Sequence, residues 1–172
     1  MKLTVGGETY SQPLTVKMDP RVTTPADGLR QQFEMEAKIS DALRQDYDVL
    51  QQVRKARAQL TNLVPRAGAM ADEINALEKK LGELEGVAGE YGSRARTDTL
   101  AGLNSSLTTV YEIVDSADAA PTSQVGATLA GLQPSLSSLL ARWNEIRSRD
   151  LDALNEKLRA ANLPPIDLSS EH

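Results

Sequence analysis

The sequence predicts a mainly α-helical protein: an antiparallel up-down four-helix bundle with two long and two short helices, preceded by a short N-terminal β-hairpin. Ala, Leu, Gln, Glu, Arg and Lys, which are strong helix formers, dominate the middle of the chain. Apolar residues recur there at spacings of three and four, which places them on one face of a helix. Aromatic residues make up only 3% of the chain, so we expect an aliphatic core.

The longest apolar stripe lies between Pro121 and Pro165 and predicts a last helix of about 40 residues. Pro134 lies inside this helix, and an interior proline removes one hydrogen bond, so we expect a kink without a break. Trp143, the only tryptophan, is predicted to pack in the core rather than to form a ligand platform. The seam residues that face the core are Leu129, Leu132, Leu136, Leu139, Trp143, Ile146, Leu151, Leu154 and Leu158.

The first 22 residues have the pattern of a β-hairpin. Residues 2–5 and 8–17 are predicted to form two strands joined at Gly6-Gly7, a dipeptide that tolerates the positive φ angles of a tight turn. Apolar and polar residues alternate after the turn, so one face is apolar, and a two-stranded hairpin of this kind is marginal alone in water. We therefore predict either the last hairpin of an upstream β-sandwich or a small cap on the helical bundle.

Three further helices are predicted between the hairpin and the last helix. The first runs from about Pro25 to Pro65, with Thr24 capping its first-turn amides. Its stripe comprises Leu29, Phe33, Ile39, Leu43, Tyr47, Leu50, Val53, Leu60 and Val64. Two short helices follow, separated by a turn at Gly86, Gly89 and Gly92 before Ser93. Their seams are Met70, Ile74, Leu77, Leu81 and Leu84, and then Leu100, Leu103, Leu107, Val110 and Val114.

The helix lengths suggest a topology. Two helices of roughly 60 Å flank two of roughly 25 to 35 Å, so we expect the short helices to go half way down and to return. This path makes a four-helix bundle at one end and a stalk at the other, pairing residues 25–44 with 144–161. The hairpin would lie at the stalk end, where Ile166 or Leu168 would cover it. The predicted domains are a hairpin over 1–22, a bundle over 23–163 and a tail over 164–172.

Composition excludes several classes of partner. The formal charge of -5 and a pI near 5.0 disfavour a nucleic-acid interface, which needs a clustered basic face. No apolar run approaches the roughly 20 residues that span a bilayer, so membrane insertion is not expected. The chain has no cysteine and therefore no disulfide framework. Its N-terminus lacks the regions of a signal peptide, so we expect any export signal to lie upstream.

No catalytic, cofactor-binding or metal-binding residue is predicted. His172 is the only histidine and ends the chain, which removes histidine-based acid–base catalysis and the Glu-x-x-His pattern of di-iron bundles. The repeat Gly86-x-x-Gly89-x-x-Gly92 follows no strand and lacks a Walker lysine, so we interpret it as a flexible turn. Three carboxylate pairs are interpreted as solvated surface or helix caps, because residues two apart diverge on a helix. These pairs are Glu34 with Glu36, Asp46 with Asp48, and Asp115 with Asp118.

Segments near both ends resemble a family of large bacterial propeller proteins. Residues 3–22, LTVGGETYSQPLTVKMDPRV, are similar to the segment that closes a small β-sandwich after a sortilin-like or sialidase-like (BNR-repeat) propeller. Residues 116–122, SADAAPT, with 149–155, RDLDALN, and 163–166, LPPI, resemble the C-terminal helical region of the same proteins. Such proteins are often labelled glycosyl hydrolases. This chain lacks the Ser-x-Asp-x-Gly-x-Thr-Trp box of the propeller repeats, so no functional residue is carried over.

The resemblance implies a non-catalytic structural or interaction module at the C-terminal end of a larger, glycosyl hydrolase-like propeller protein. It also implies export to the periplasm or the extracellular space, and a partner that is either the upstream domains or another protein. A competing interpretation is an independent helical adaptor or oligomerisation protein whose seam binds a partner helix, with a homo-oligomer as one form. A third is a fragment that contributes a wall to a glycan-hydrolase site.

Overall fold

The computed structural model describes residues 1–87 and 97–169 and is mainly helical, with a short antiparallel hairpin at its N-terminus. Both of these coarse features of the predicted fold class are confirmed. Gly89, Gly92, Ser93 and His172 lie outside the described residues. The elements are strands β1 (Lys2–Val5) and β2 (Glu8–Ser11) and helices α1 (Ala26–Leu63), α2 (Ala71–Glu85), α3 (Leu100–Asp115), α4 (Ser123–Glu145) and α5 (Asp152–Ala160).

Helix α1 is the longest element, and its buried stripe differs from the predicted one. Ile39, Asp46, Val53 and Leu60 recur every seven residues, and each is 0% exposed. Phe33 and Tyr47 were predicted to belong to the stripe but are mostly exposed, because they lie on the solvent side of the same helix. The helix begins at Ala26 after Pro25, and no side chain caps it, so the capping role predicted for Thr24 is wrong.

Helices α2 and α3 lie one after the other along α1, and both run antiparallel to it. Arg54 and Arg57 of α1 contact Glu85 and Glu78 of α2, while further back Asp46 contacts Asn104 of α3. The end of α2 abuts the start of α3. The predicted reversal between the two short helices is therefore wrong, because helical periodicity specifies which face is buried but not the direction of the helix.

Helix α4 runs parallel to α1. The two contacts that show this join residues separated by the same number of positions in the sequence. An added Cβ at Gly126 would lie 3.7 Å from Met35 Cε, and Trp143 Nε1 donates to Gln52 Oε1 at 3.2 Å. The part of the chain after Trp143 consequently packs beside α2, where Lys157 pairs with Glu73. The predicted stalk of 25–44 with 144–161 is wrong, since α3 lies where that stalk would open.

One wide turn of π-type, Ile146–Leu151, joins α4 to α5 without ending the helical path. The seam spacing there is five residues, whereas it is three or four elsewhere in the stripe. A turn with i to i+5 hydrogen bonds brings residues five apart into line, so Ile146 and Leu151 both stay buried. All nine predicted seam residues are in the core. Helix α4 also continues through Pro134, which confirms that the proline does not break it.

The C-terminal tail packs far from the hairpin. Ile166 is buried, and its backbone N–H and C=O both bond to the side chain of Asn155. Asp167 bonds to Gln59, near the C-terminal end of α1. The tail was predicted to cover the apolar face of the hairpin; this is wrong, because α4 and α5 carry it to the opposite end of α1.

Candidate functional site

The most exposed apolar surface belongs to residues 1–18, which we call the arm. Strands β1 and β2 pair in the register Leu3 with Tyr10 and Val5 with Glu8, across a turn in which Gly6 and Gly7 have φ of 60° and 86°. Side chains two apart in a strand share a face. Seven apolar side chains of the arm are between 58% and 86% exposed: Met1, Leu3, Val5, Tyr10, Leu14, Val16 and Met18.

Apolar residues recur at every second position from Leu14 to Met18, after the end of β2 and in register with Tyr10. Counting in steps of two from Tyr10, the positions 14, 16 and 18 are Leu, Val and Met, while 15 and 17 are Thr and Lys. Strand β2 ends at Ser11, and residues 1–21 are all exposed, so no helix of the body covers this segment. The arm is thus not a cap on the helices, which was one of the two arrangements predicted for it.

The segment from the end of the arm into the first turn of α1, residues 19–28, which we call the base of the arm, contacts the connection between α3 and α4. Thr24 donates its hydroxyl hydrogen to the carbonyl of Asp118. An added Cβ at Gly28 would lie 3.2 Å from Ala120 Cβ and 3.0 Å from a methyl of Thr24. The start of α1 and the turn after α3 therefore approach closely, and a larger residue than glycine at position 28 would push them apart.

The side chain of Gln32 links α1 to the end of α3 and the turn after it by hydrogen bonds. Its amide Nε2 donates to the carbonyls of Val114 and Ala117, at 3.0 and 3.1 Å, and its Oε1 accepts from the N–H of Ala119 at 3.2 Å. The last carbonyls of a helix have no intrahelical partner. Gln32 is only 7% exposed, and this one side chain bonds a buried carbonyl near the end of α3 and two partly buried groups of the turn after it.

Asp46 is a carboxyl group inside the core, where sequence patterning predicted solvated surface. Its Oδ2 accepts from Asn104 Nδ2 at 3.0 Å, and its Oδ1 has no hydrogen-bond partner among the described residues. Burial raises the pKa of Asp46 to about 6, and the hydrogen bond from Asn104 offsets part of that effect. The interpretation of Asp46 as surface is wrong, whereas Asp48, Asp115 and Asp118 are indeed exposed.

A sequence signal for Asp46 did exist. It lies seven residues after Ile39 and seven before Val53, so it occupies a core position of the heptad-like repeat. The prediction followed the spacing of Asp46 to Asp48 instead of its spacing to the apolar residues. Asn104 gave no comparable signal, because its partial burial depends on how α3 is placed against α1.

The other half of α1 is bound to α2 by ion pairs. Arg57 contacts Glu78 at 2.6 Å and Glu85 at 2.5 Å, and Arg54 contacts Glu85 at 2.8 Å. Burial opposes ionisation of Glu85, but the hydrogen bonds from Arg54 and Arg57 outweigh it and hold its pKa below the ordinary value. The hydrogen bonds that Arg57 donates to Glu78 and Glu85 raise the pKa of Arg57. This cluster has partners for its charges, so its chemistry is structural.

A groove of about 380 Å³ lies between α2 and the wide turn. Lys80 and Asp150 pair across it, and Arg149 pairs with Glu145 and Asp150. Each charged side chain of this lining has an ion-pair partner, and the partner of Glu73 is Lys157, so the described groove offers no unpaired charge to a ligand. The lining residues are Glu73, Ala76, Leu77, Lys80, Arg149, Asp150, Ala153 and Leu154.

Trp143 packs in the core, as predicted. It is 2% exposed, and its indole N–H is satisfied by Gln52. Within residues 1–87 and 97–169, no three His, Asp or Glu side chains are gathered in a way that could hold a metal ion. None of the helices in these ranges combines the length and apolarity required to cross a bilayer.

Comparison with known proteins gives no relative. No protein-family model, no curated protein and no solved structure matches this chain. The resemblance of its two ends to sortilin-like and sialidase-like propeller proteins therefore stays a prediction from the sequence.

Proposed function

We propose that this chain is a non-catalytic structural and interaction module that docks, through the apolar face of its arm, onto β-structure of a larger exported propeller protein. The observation that carries the proposal is the arm itself: seven apolar side chains on 18 residues, each more than half exposed. An exposed apolar patch of this kind usually marks an interaction site.

The β-strand pattern of the arm favours a β-sheet as the partner. A lone two-stranded hairpin is marginally stable in water, and additional strands are the usual remedy. Residues 14–18 alternate between apolar and polar side chains and would present Leu14, Val16 and Met18 to one side of an extended sheet. Fully burying a Leu or Val side chain stabilises by about 1.5 to 3 kcal/mol, so covering seven apolar side chains would supply on the order of 10 kcal/mol before ordering costs.

The remainder of the chain suits a structural role. Its seam is buried in its own core, and its polar clusters are ion pairs and amide contacts between helices. No described cluster combines a nucleophile, a base and a group that orients the base. Export and the propeller context are supported only by the sequence resemblance of residues 3–22, 116–122, 149–155 and 163–166.

The test uses the natural gene and the protein made from it. The reading frame upstream of Met1 is determined, and the extended polypeptide and the 172-residue chain are compared by amide hydrogen exchange. We expect propeller repeats upstream and strong protection of residues 1–18 only in the extended polypeptide. A short gene that starts at Met1, or an arm that exchanges equally fast in both proteins, would overturn the proposal.

The second candidate is an independent adaptor or oligomerisation protein. The observation that favours it is a pair of exposed aromatic side chains on α1, Phe33 and Tyr47, which are 70% and 54% exposed. Light scattering of the 172-residue chain decides it. A stable dimer that Phe33→Ser/Tyr47→Ser dissociates would support this candidate, whereas a monomer at all concentrations would exclude self-association.

A matched pair of arm variants tests whether the apolar side of residues 14–17, rather than the opposite side, makes the contact. Leu14→Ser/Val16→Ser removes two of the seven exposed apolar side chains of the arm, and Thr15→Ser/Lys17→Ser alters the opposite side of the same segment. If the arm docks as proposed, only the first pair restores fast exchange of residues 1–18 in the extended polypeptide. Equal effects of both pairs would indicate that the face is not what binds.

A further inference from the structure

Asp46 is the feature of the core that the proposed function does not use. It is 0% exposed, its Oδ1 has no partner among the described residues, and its single hydrogen bond comes from a neutral amide. A buried carboxylate is ordinarily paired with a cation or bonded by several donors, because transfer of its charge from water is costly. Asp46 has neither form of compensation in its charged state.

Among residues 1–87 and 97–169, the helices that pack around Asp46 place no cation beside its carboxyl group. Helix α3 carries no ionisable residue from Leu100 to Val110, and the ionisable residues that flank this stretch are Asp98 and Tyr111. Helix α4 carries none from Ser123 to Ala141. On α1 itself, the residues three and four positions away are Ala42, Leu43, Val49 and Leu50, while the charged Arg44 and Asp48 point to solvent.

The charged clusters of α1 on either side of Asp46 are already engaged, Arg44 with Asp41 and the arginines further along with α2. Arg54 lies eight residues after Asp46, or roughly 12 Å along the helix axis, and is bonded to Glu85 of α2. Arg57 is occupied by Glu78 and Glu85. Removal of the proton from Asp46 therefore places between α1 and α3 a negative charge whose one compensation among the described residues is the hydrogen bond from Asn104.

We propose that Asp46 makes the seating of α3 on α1 depend on pH, so that its protonation in mildly acidic solution secures α3 and its ionisation at neutral pH loosens it. Helix α3 is the element affected because Asn104, the one residue bonded to Asp46, belongs to it. Loosening of α3 also reaches the base of the arm, since Gln32 and Thr24 are bonded to the end of α3 and to the turn after it.

The direction and size of the effect follow from proton linkage. The pKa of Asp46 is about 6 when folded and 3.8 as the ordinary value, so the closed state binds more protons between these two values. Closure is consequently favoured as the pH falls from about 6 towards 3.8. Between pH 7.5 and pH 5.0 this shift corresponds to a roughly tenfold change in the opening equilibrium of α3, with more opening at pH 7.5.

Amide hydrogen exchange of the full chain, corrected for the intrinsic pH dependence of exchange, tests the proposal. We expect peptides from α3 to open roughly tenfold more at pH 7.5 than at pH 5.0, while peptides from α2 do not share this change. In Asp46→Asn the α3 peptides should show no such dependence. Asp48→Asn, an exposed carboxylate two residues away, should behave as the wild type.

A titration of the wild-type carboxyl carbons by NMR gives an independent readout that does not require a variant to fold. Asp46 should titrate well above its ordinary value, together with chemical-shift changes in Asn104. The proposal is overturned if Asp46 titrates near 3.8, if α2 and α3 open with the same pH dependence, or if Asp46→Asn retains the wild-type response.

Discussion

Along its N-terminal half, α1 is tied to α3 by amide side chains, whereas along its C-terminal half it is tied to α2 by ion pairs. Gln32 and Asn104 supply the neutral hydrogen bonds of the first half, and Arg54 and Arg57 supply the charges of the second. The two halves bury similar aliphatic seams. Because their polar contacts differ, the two halves should respond in opposite ways to acid, and salt should weaken the ion-paired half more than the other.

The difference in acid response follows from two carboxyl groups. Asp46 has a raised pKa and stabilises α3 as the pH falls through about 6. Glu85 has a lowered pKa because of its arginine partners, so its contribution is present above the ordinary value of 4.5 and is lost as the pH falls through the lower folded value. One carboxyl lacks a cation and the other has two.

The largest effect is expected at the joint between the two halves. Gly86 follows α2 with φ of 66°, and an added Cβ would lie 2.4 Å from Thr99 Cβ, the residue that caps α3. Gly86→Ala should lower the free energy of unfolding by about 3 kcal/mol, from strain at positive φ and from displacement of Thr99. Urea denaturation measures the change.

The control for this substitution is another glycine of the same protein. Gly131 lies inside α4 with no atom within 4 Å of an added Cβ. Gly131→Ala should raise the free energy of unfolding by about 0.5 to 1 kcal/mol, because alanine has the better helix propensity. Equal destabilisation by both substitutions would mean that the contact with Thr99 is unimportant.

The next largest loss of stability is expected in the N-terminal half of α1, where amide side chains bind α3. Gln32→Leu keeps the approximate volume but leaves the carbonyls of Val114 and Ala117 and the N–H of Ala119 without this partner. We expect a loss of about 2 kcal/mol in the free energy of unfolding, because buried polar groups without partners are costly. Amide exchange should rise at the end of α3 and stay unchanged in α2. Gln31→Leu, on the exposed side, is the control.

The smallest loss of stability is expected in the C-terminal half of α1, where ion pairs bind α2. Arg57→Met removes the contacts to Glu78 and Glu85, but the side chain is 33% exposed, so solvent screening reduces the loss to about 1 kcal/mol. High salt should shrink the difference between variant and wild type. Arg44→Met breaks a pair with Asp41 in which both side chains are about two-thirds exposed, and should change stability very little. A loss at Arg44 as large as that at Arg57 would refute the distinction.

Periodicity predicted the helices well, and length predicted their arrangement badly. Every seam residue of α3 and α4 is buried, because spacings of three and four identify the face that must leave water. The direction of α3 could not be predicted, because the glycines that follow α2 in the sequence indicate a turn without specifying its angle. An apolar stripe requires a partner, but any apolar stripe of similar length satisfies it.

The candidate site was predicted unevenly. The exposed arm was anticipated from the alternation around Leu14 and Val16, since a hairpin with one apolar face needs cover. The tail was predicted to provide that cover, and the structure instead places Ile166 against α5. Asp46 was missed because the type of its side chain was given more weight than its place in the seven-residue repeat.

The wide turn at Ile146–Leu151 has a consequence for the length of the chain. The seam needs only four residues from Ile146 to its next core position in an ordinary helix, and the sequence supplies five. Deletion of one residue from 147–150 would restore the common spacing and leave Leu154 and Leu158 facing the core. The wide turn thus accommodates one additional residue while the seam of α5 still faces the core, and we expect a deletion there to keep Leu154 and Leu158 buried.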